Sequence, residues 1–414
     1  MRVLVLGGGV VGVTTAYYLA RERAEVEVVE AADAVGTDAT AGNAGLIAPG
    51  HSFAWASPRA PGMLVRSLLG GQTAIQVRLR PDLDLARWGL RFLRECTTAR
   101  ARRNTLVKLA LCRYSQQQLD RLAHEEQIDY LDSHTGILYL YRDPRELELG
   151  AARMQLLAQH GQECRVLDAA AVVAIEPAFE PVREKFAGAV YSPSDASGNA
   201  QVFTRRLAEV CERLGVAFRL GTTIAALAAE GEQVTGAVTN VGTLEADVYV
   251  LALGVGSARV ARTIGVKLPI YPAKGYSVDF AIRDGGAPHT GGVDEQLLVA
   301  WAPLGSKLRM TSTAEFCGYD RSTPARAFEN ILRAARELLP DAADYSAGER
   351  RACLRPMTPD GPPVLGRGRH SNLFFNTGHG HMGWTMACGS SRAVADILQG
   401  RPPEIDLTGS EYRW

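Results

Sequence analysis

Three glycines, Gly7, Gly9 and Gly12, stand in G-x-G-x-x-G spacing, and Glu30 follows 18 positions after the last of them. Each glycine has its own task. Gly7 permits a tight turn, Gly9 lets a pyrophosphate approach the backbone, and Gly12 lets a helix pack close to a strand. The helix N-terminus behind them turns free N–H groups and the positive end of its dipole toward phosphates. Glu30 can accept hydrogen bonds from a ribose diol. This is dinucleotide-binding chemistry, and the pattern alone does not choose between NAD and FAD. A second glycine-rich turn, Thr377-Gly-His-Gly-His-Met-Gly-Trp-Thr385, lies more than 350 residues away and also precedes a helical stretch. Its N–H groups could meet something electron-rich, such as the N1–C2=O edge of a reduced flavin. His379 and His381 have no acid or cysteine at ligand spacing, so no metal is expected there.

These residues must be held by particular elements. Residues 2–6 are a short apolar run that suits a strand buried on both faces, and 25–29 read as a second strand after a helix. Between Asp33 and Gly50 runs a loop of small residues with too many glycines for a packed helix. Such a loop lets backbone approach a flat ligand, which suits the ribityl chain and ring of a flavin better than an NAD enzyme's next helix. Further along, 105–127, 203–214 and 385–399 read as helices. Residues 133–141, 216–220, 234–239, 243–246, 248–254 and 373–376 read as strands. The alternation argues for a parallel sheet with an antiparallel excursion. Residues 267–350 hold several strands and one helix at 324–339, which suggests an α+β second domain. The expected fold class is therefore α/β, with the chain crossing between domains. A Rossmann-like cofactor domain takes 1–58, 160–265 and 350–414, and a substrate domain takes 59–159 and 266–349.

Composition bounds the function. The chain has 414 residues, and its 45 Lys+Arg balance 45 Asp+Glu. The length fits two or three domains. Zero net charge argues against a nucleic-acid binder, which needs surplus cations. With 46% hydrophobic and 22% charged residues, the chain is ordinary globular protein and not a disordered one. Seven scattered cysteines without C-x-x-C spacing suggest a reducing, cytoplasmic compartment. No apolar run reaches the roughly 20 residues of a membrane span. Met63, Leu64, Leu68, Leu69, Leu85, Trp88, Leu90 and Phe92 lie among arginines between 62 and 95. They read as a core-facing helical region, with a peripheral contact on the cytoplasmic face of the inner membrane as the alternative.

At this point several motifs in order resemble a known family. They are VLGGGVVGVTTAYYLA (4–19), GNAGLIAPG (42–50), QVFTRRLAE (201–209), YVLALGVGS (249–257), YPAKGYSVD (271–279), LRPMTPDGPPVLGR (354–367) and NTGHGHMGWTMACGS (376–390). Together they resemble the FAD-dependent D-amino-acid oxidase superfamily, most of all its bacterial D-amino-acid dehydrogenase small-subunit type, with glycine oxidase and sarcosine oxidase as cousins. The resemblance implies a glutathione-reductase-like FAD domain and a substrate domain whose antiparallel sheet covers the flavin. It implies that Gly7, Gly9, Gly12 and Glu30 hold the ADP half and that the backbone of Ile224 meets the adenine. Asn43, Ala44 and Gly45 would line the isoalloxazine ring, and Gly378, His379, Gly380, His381 and Met382 would meet its pyrimidine end. Val10, Val11, Ala31, Thr40, Leu46, Gly254 and Gly383 complete the expected cofactor neighbours.

The implied reaction is hydride transfer from the substrate Cα to flavin N5, after which water hydrolyses the imino acid to a 2-oxo acid and ammonia. It needs few side chains, because the cofactor carries the hard step. Arg355 matches the arginine that pairs with the substrate carboxylate in glycine-oxidase-like relatives, while His381 stands where glycine oxidase carries a second arginine. Trp301 and Tyr276 are expected in the pocket wall, and His51 is expected to face the substrate. Lys274 is read equally as a stabiliser of reduced flavin or as a salt-bridge partner. Cys353 often corresponds to glycine in the dehydrogenase type, and sarcosine oxidase tethers its flavin through a cysteine nearby, so a covalent link is an alternative to a buried thiol. The basic residue usual after the ribose acid is absent here, and a family serine is Thr40. The expected partner is a small amino-acid substrate, with quinone or O₂ as electron acceptor. Alternatives are an O₂-using oxidase of glycine or N-substituted glycines, a D-imino-acid dehydrogenase, a non-catalytic flavin-binding subunit and, last, an NAD dehydrogenase.

Overall fold

A computed structural model describes residues 1–68, 75–78 and 80–412. Two sheets organise them. The first has six strands in the order Val364–Arg367, Leu373–Thr377, Val248–Leu251, Arg2–Leu6, Glu25–Val29 and Ala217–Arg219. All its neighbours run parallel except the antiparallel edge pair 364–367 and 373–377. Its strands are apolar on both faces because both are covered. Val3, Val5, Val26 and Val28 pack against the helices Val10–Arg21, Ala200–Arg213 and Gly383–Leu398. Leu4, Leu6, Tyr249 and Leu251 pack against the short helix Ser257–Arg262 and a three-stranded sheet made of Ile224–Glu230, Gln233–Thr239 and Gly242–Leu244.

The second sheet has nine strands and is mostly antiparallel. Its path runs Glu349–Met357, Tyr271–Ala281, Lys307–Phe316, Val299–Leu304, Gly291–Asp294, Ile137–Tyr141, Gly188–Ser192 and Arg165–Asp168, with Ile75–Val77 paired onto 307–316. Strand alternation splits its side chains between two layers. Leu138, Leu140, Tyr276, Val278, Phe280, Val299, Trp301, Leu308 and Met310 enter a core closed by the helices Ala169–Ile175 and Glu329–Leu338. The opposite face carries Tyr139, Tyr141, Val293 and Ala300 and turns toward the first sheet.

Sheet membership departs from the expected boundaries. The strands 165–168 and 188–192, expected in the cofactor domain, belong to the nine-stranded sheet, and so does 349–357. The helix Thr98–Glu125, assigned to the substrate domain, sends Leu111, Cys112, Leu119 and Leu122 into the core beneath the six-stranded sheet. Edge pairing decides the first case and apolar burial the second, and neither leaves a break in composition. In the 62–95 region, Trp88 and Phe92 are buried while Leu90 and Leu93 face outward. Leu69 and the side chain of Leu68 lie outside the described residues. No helix among the described residues is long and apolar enough to cross a membrane.

Candidate active site

The facing sides of the two sheets enclose a cavity of about 1510 Å³, above the ~300–1,000 Å³ of an ordinary small-molecule pocket. One end is built from backbone. Gly7 has φ +117, and a Cβ there would stand 2.5 Å from the Ala252 carbonyl oxygen. A Cβ on Gly12 would overlap the Gly7 carbonyl oxygen, so Gly12 serves helix–strand packing and does not line the cavity. The helix Val10–Arg21 starts at Gly9 without a side-chain cap, and Gly7, Gly9, Val10 and Val11 line the cavity there. Glu30 lies alongside, its carboxylate accepting from the amides of Gly8 at 2.7 Å and Ala32 at 2.9 Å. Thr40 Oγ1 accepts from the Val10 amide at 3.1 Å.

Farther in, Asn43, Ala44 and Leu46 line one wall, Gly254 another, and His379, Gly380, His381, Met382 and Gly383 a third. Met382 leads into the helix Gly383–Leu398, which also starts without a side-chain cap. His381 Nε2, Trp384 Nε1 and Asn376 Oδ1 are fully buried and lack hydrogen-bond partners, although all three residues line this wall. Burial, with Lys108, His51 and Arg355 nearby, pushes the His381 imidazole well below its ordinary range. It is therefore neutral, and its ring stacks on Trp55. Burial lowers His379 to about 3, and its Nε2 lies 2.9 Å from Ser390 Oγ.

The other end is built from side chains of separate segments. Arg355, on the strand 349–357, lines the cavity. His51, Phe53, Trp55, Arg153, Glu295 and Ala300 line the same cavity. His51 Nε2 lies 3.5 Å from Glu295 Oε1, and its ring stacks on Tyr139. Burial alone would raise the Glu295 carboxyl, but His51 and Arg153 bring it below its usual value. Behind His51, burial raises Asp195 to about 6 against the hydrogen bonds it accepts from Tyr139 and Gly50.

Several expected placements differ. Trp301 and Tyr276 do not line the cavity. Trp301 is fully buried on the far face of its sheet, donating to the Thr290 carbonyl at 2.9 Å. The Tyr276 hydroxyl donates to Glu315 at 2.6 Å on that same side. Neighbours in a strand point to opposite faces, so Ala300 and Thr311 reach the cavity while Trp301 and Met310 turn away. Lys274, fully buried, pairs with Asp320 at 3.1 Å and does not line the cavity. Gly45 faces Ala302 and Leu304, and Gly378 faces Thr358 and Ile270, so both shape the wall from behind. Ile224 packs into the core on the Leu4 and Leu6 face of the six-stranded sheet and does not line the cavity. Ala31 does line it. The Cys353 thiol, raised by burial, lies 3.7 Å from the Gly42 carbonyl.

Some contacts have no sequence signature. Arg309 is buried, pairs with Asp279 at 2.6 Å and donates to the Asn43 carbonyl at 3.0 Å. Arg321 grips Asp38 through two bonds of 2.6 and 2.8 Å. The Tyr319 hydroxyl reaches the Val255 carbonyl at 3.3 Å, with Arg259 over its ring. The segment after the strand 307–316 thus spans the cavity's cofactor end from Asp38 to Val255.

The two helix starts whose N-cap residues make no side-chain cap, the glycine cradle and the buried polar atoms without partners fit a long, phosphate-bearing, flat cofactor such as FAD. Comparison with known proteins agrees. A family model described as DAO, FAD dependent oxidoreductase, matches residues 2–397. A relative in Mesorhizobium japonicum named "D-amino acid dehydrogenase 2" is 43% identical over all of both chains. A "D-amino acid dehydrogenase" of Methylobacterium radiotolerans is 42% identical, again over all of both. Among solved structures, glycine oxidase from Geobacillus kaustophilus superposes with a TM-score of 0.77 at 23% identity, covering 100% of this chain and 98% of that one. L-proline dehydrogenase from P. horikoshii gives 0.76 at 16% identity, with 99% and 96% covered. Both structures share the fold. The chain belongs to the DAO family of FAD dependent oxidoreductases.

Proposed function

We propose that this protein oxidises D-amino acids to 2-oxo acids and ammonia. The observation that carries the reading is the continuous cavity, which joins an uncapped helix start at Gly9 to an arginine at 355. The D-amino acid dehydrogenase names of relatives at about 40% identity over the full length support the substrate class. When bound, FAD supplies a hydride acceptor at N5. The protein supplies the rest.

Arg355 pairs with the substrate carboxylate through two parallel N–H···O bonds and so fixes the Cα–H direction. Burial lowers its pKa, yet a guanidinium stays charged in protein surroundings. His381 is neutral and adds no competing charge. The substrate amine must lose its proton before hydride leaves Cα, so activity rises with alkaline pH. Gly9, Val10 and Val11 take the pyrophosphate, Glu30 the ribose, and the 379–383 turn the pyrimidine edge of the ring. The raised Cys353 thiol, packed on a carbonyl, supports a flavin held without a covalent bond. Acid-precipitated protein then releases all its yellow colour.

Electrons leave toward a quinone at a bilayer surface. Support comes from Leu83, Leu90 and Leu93, exposed by 74%, 54% and 48% along one helix that also carries Arg87, Arg91 and Arg94. Sedimentation with anionic vesicles tests this contact.

Anaerobic mixing of the holoenzyme with a panel of D- and L-amino acids tests the main reading. D-amino acids should bleach the flavin band while their enantiomers leave it intact. No bleaching by any D-amino acid sinks the proposal.

A further inference from the structure

Gly275 sits in the middle of the strand Tyr271–Ala281, which is paired on both sides. Glycine weakens a central strand and usually marks a place where something approaches closely. Its backbone gives no reason for the choice. Gly275 is absent from the glycines with positive φ, so an L-residue could adopt its conformation. It sits opposite Cys353 in register with the neighbouring strand, two residues from Arg355. On its other side the register with the strand Lys307–Phe316 shifts between Lys274 and Tyr276, and bulges of this kind often lie beside active sites.

What fills the space is the Arg355 side chain. A Cβ at position 275 would stand 2.6 Å from Arg355 Cζ and 2.8 Å from Nε, with Nη2 closer still. All three atoms belong to the guanidinium group, which therefore lies across the bare glycine. Any residue other than glycine at 275 would put a Cβ there. Arg355 faces the cavity from this platform, because the glycine lets its end group lie low against the sheet.

We infer that Gly275 is a positioning residue for the carboxylate clamp, holding Arg355 at the height at which it meets the substrate. The inference rests on Arg355 being the clamp. The obstruction at 275 is the far end of a flexible side chain, so a methyl group there moves the guanidinium and spares the backbone. Gly275→Ala should thus fold, bind FAD and melt as the parent does. Its KM for D-alanine should rise about 10- to 100-fold, with kcat changed much less, since a displacement on the ångström scale can cost that much.

The experiment is a double-mutant cycle on the holoenzyme with G275A, R355A and the double variant, read by KM, kcat, flavin content and melting temperature. Support is a raised KM in G275A that adds nothing once Arg355 is gone. Wild-type kinetics in G275A, while R355A loses substrate binding, overturn the inference alone. An effect of G275A that persists fully in the R355A background also overturns it. So does a G275A protein that fails to fold with FAD, for then the glycine serves the backbone. An R355A enzyme with unchanged KM instead overturns the clamp itself.

Discussion

The two ends of the cavity are made differently. The cofactor end is a backbone construction of glycines without room for a Cβ, two helix starts whose N-cap residues make no side-chain cap, and amides turned onto Glu30. Among its charged side chains, Arg321 pairs with Asp38. The substrate end is a side-chain construction, drawn from residues near 51, 153, 295 and 355. Its interior gathers cationic and imidazole groups around the carboxylate of Glu295. A site made of backbone leaves a local spacing in the sequence, because glycine alone fits. A site made of side chains leaves none, because any residue type can be brought there by the fold.

The largest expected effect tests the backbone end. In Gly12→Ala the new methyl meets the Gly7 carbonyl oxygen, a backbone atom that cannot rotate away. The helix must then move off the strand, so the purified protein should carry little or no flavin absorbance. A fully yellow Gly12→Ala protein breaks the distinction drawn above. Arg355→Ala, by contrast, removes one side chain at the other end. It should raise KM about 100-fold with flavin content unchanged.

Lys108 tests a single buried charge near this end. Its ammonium is buried and donates to the Phe53 carbonyl at 3.1 Å. Burial lowers its pKa from 10.5 to about 8. The folded protein therefore gives up this proton earlier than the unfolded chain as pH rises, and stability increases between about pH 8 and 10.5. At neutral pH the buried charge costs on the order of 3 kcal/mol. Lys108→Met should melt higher at pH 7, by less than that cost allows because the hydrogen bond is lost, and should lack the rise above pH 8. A lower melting temperature at every pH would show that Lys108 stabilises this end.

Legibility follows the same division. Gly7, Gly9, Gly12 and Glu30 could be read directly, since their spacing is short and the physical reason local. The 379–383 turn could be read once it was seen as a second strand–glycine–helix junction. Arg309 on the Asn43 carbonyl and Arg321 on Asp38 could not, because those partners are 266 and 283 residues apart. Arginines are plentiful in this chain, and the neighbours of these two do not mark them. Glu295 is equally silent, a polar residue just past a strand end whose partner His51 comes from a distant part of the chain. The sheet membership of the strands at 165–192 and 349–357 was silent for a similar reason, since a strand's sequence does not say which sheet receives its edge.

Tyr276 tests the phase of a strand, which the resemblance could not supply. An aromatic residue in a motif near Arg355 invites placement in the pocket, yet its alternate neighbours Val278 and Phe280 share its buried layer. Gly275 and Ser277 are the residues on the Arg355 side. Burial and the bond to Glu315 raise the Tyr276 phenol, so it stays a protonated donor. Tyr276→Phe removes that bond and nothing at the cavity. The expected cost is about 1 kcal/mol of stability, with Glu315 still held by Arg78 at 2.5 Å and with KM and kcat unchanged. The effect is the smallest of the set. It discriminates because a residue in the pocket wall would do the opposite, altering KM while leaving the melting temperature alone.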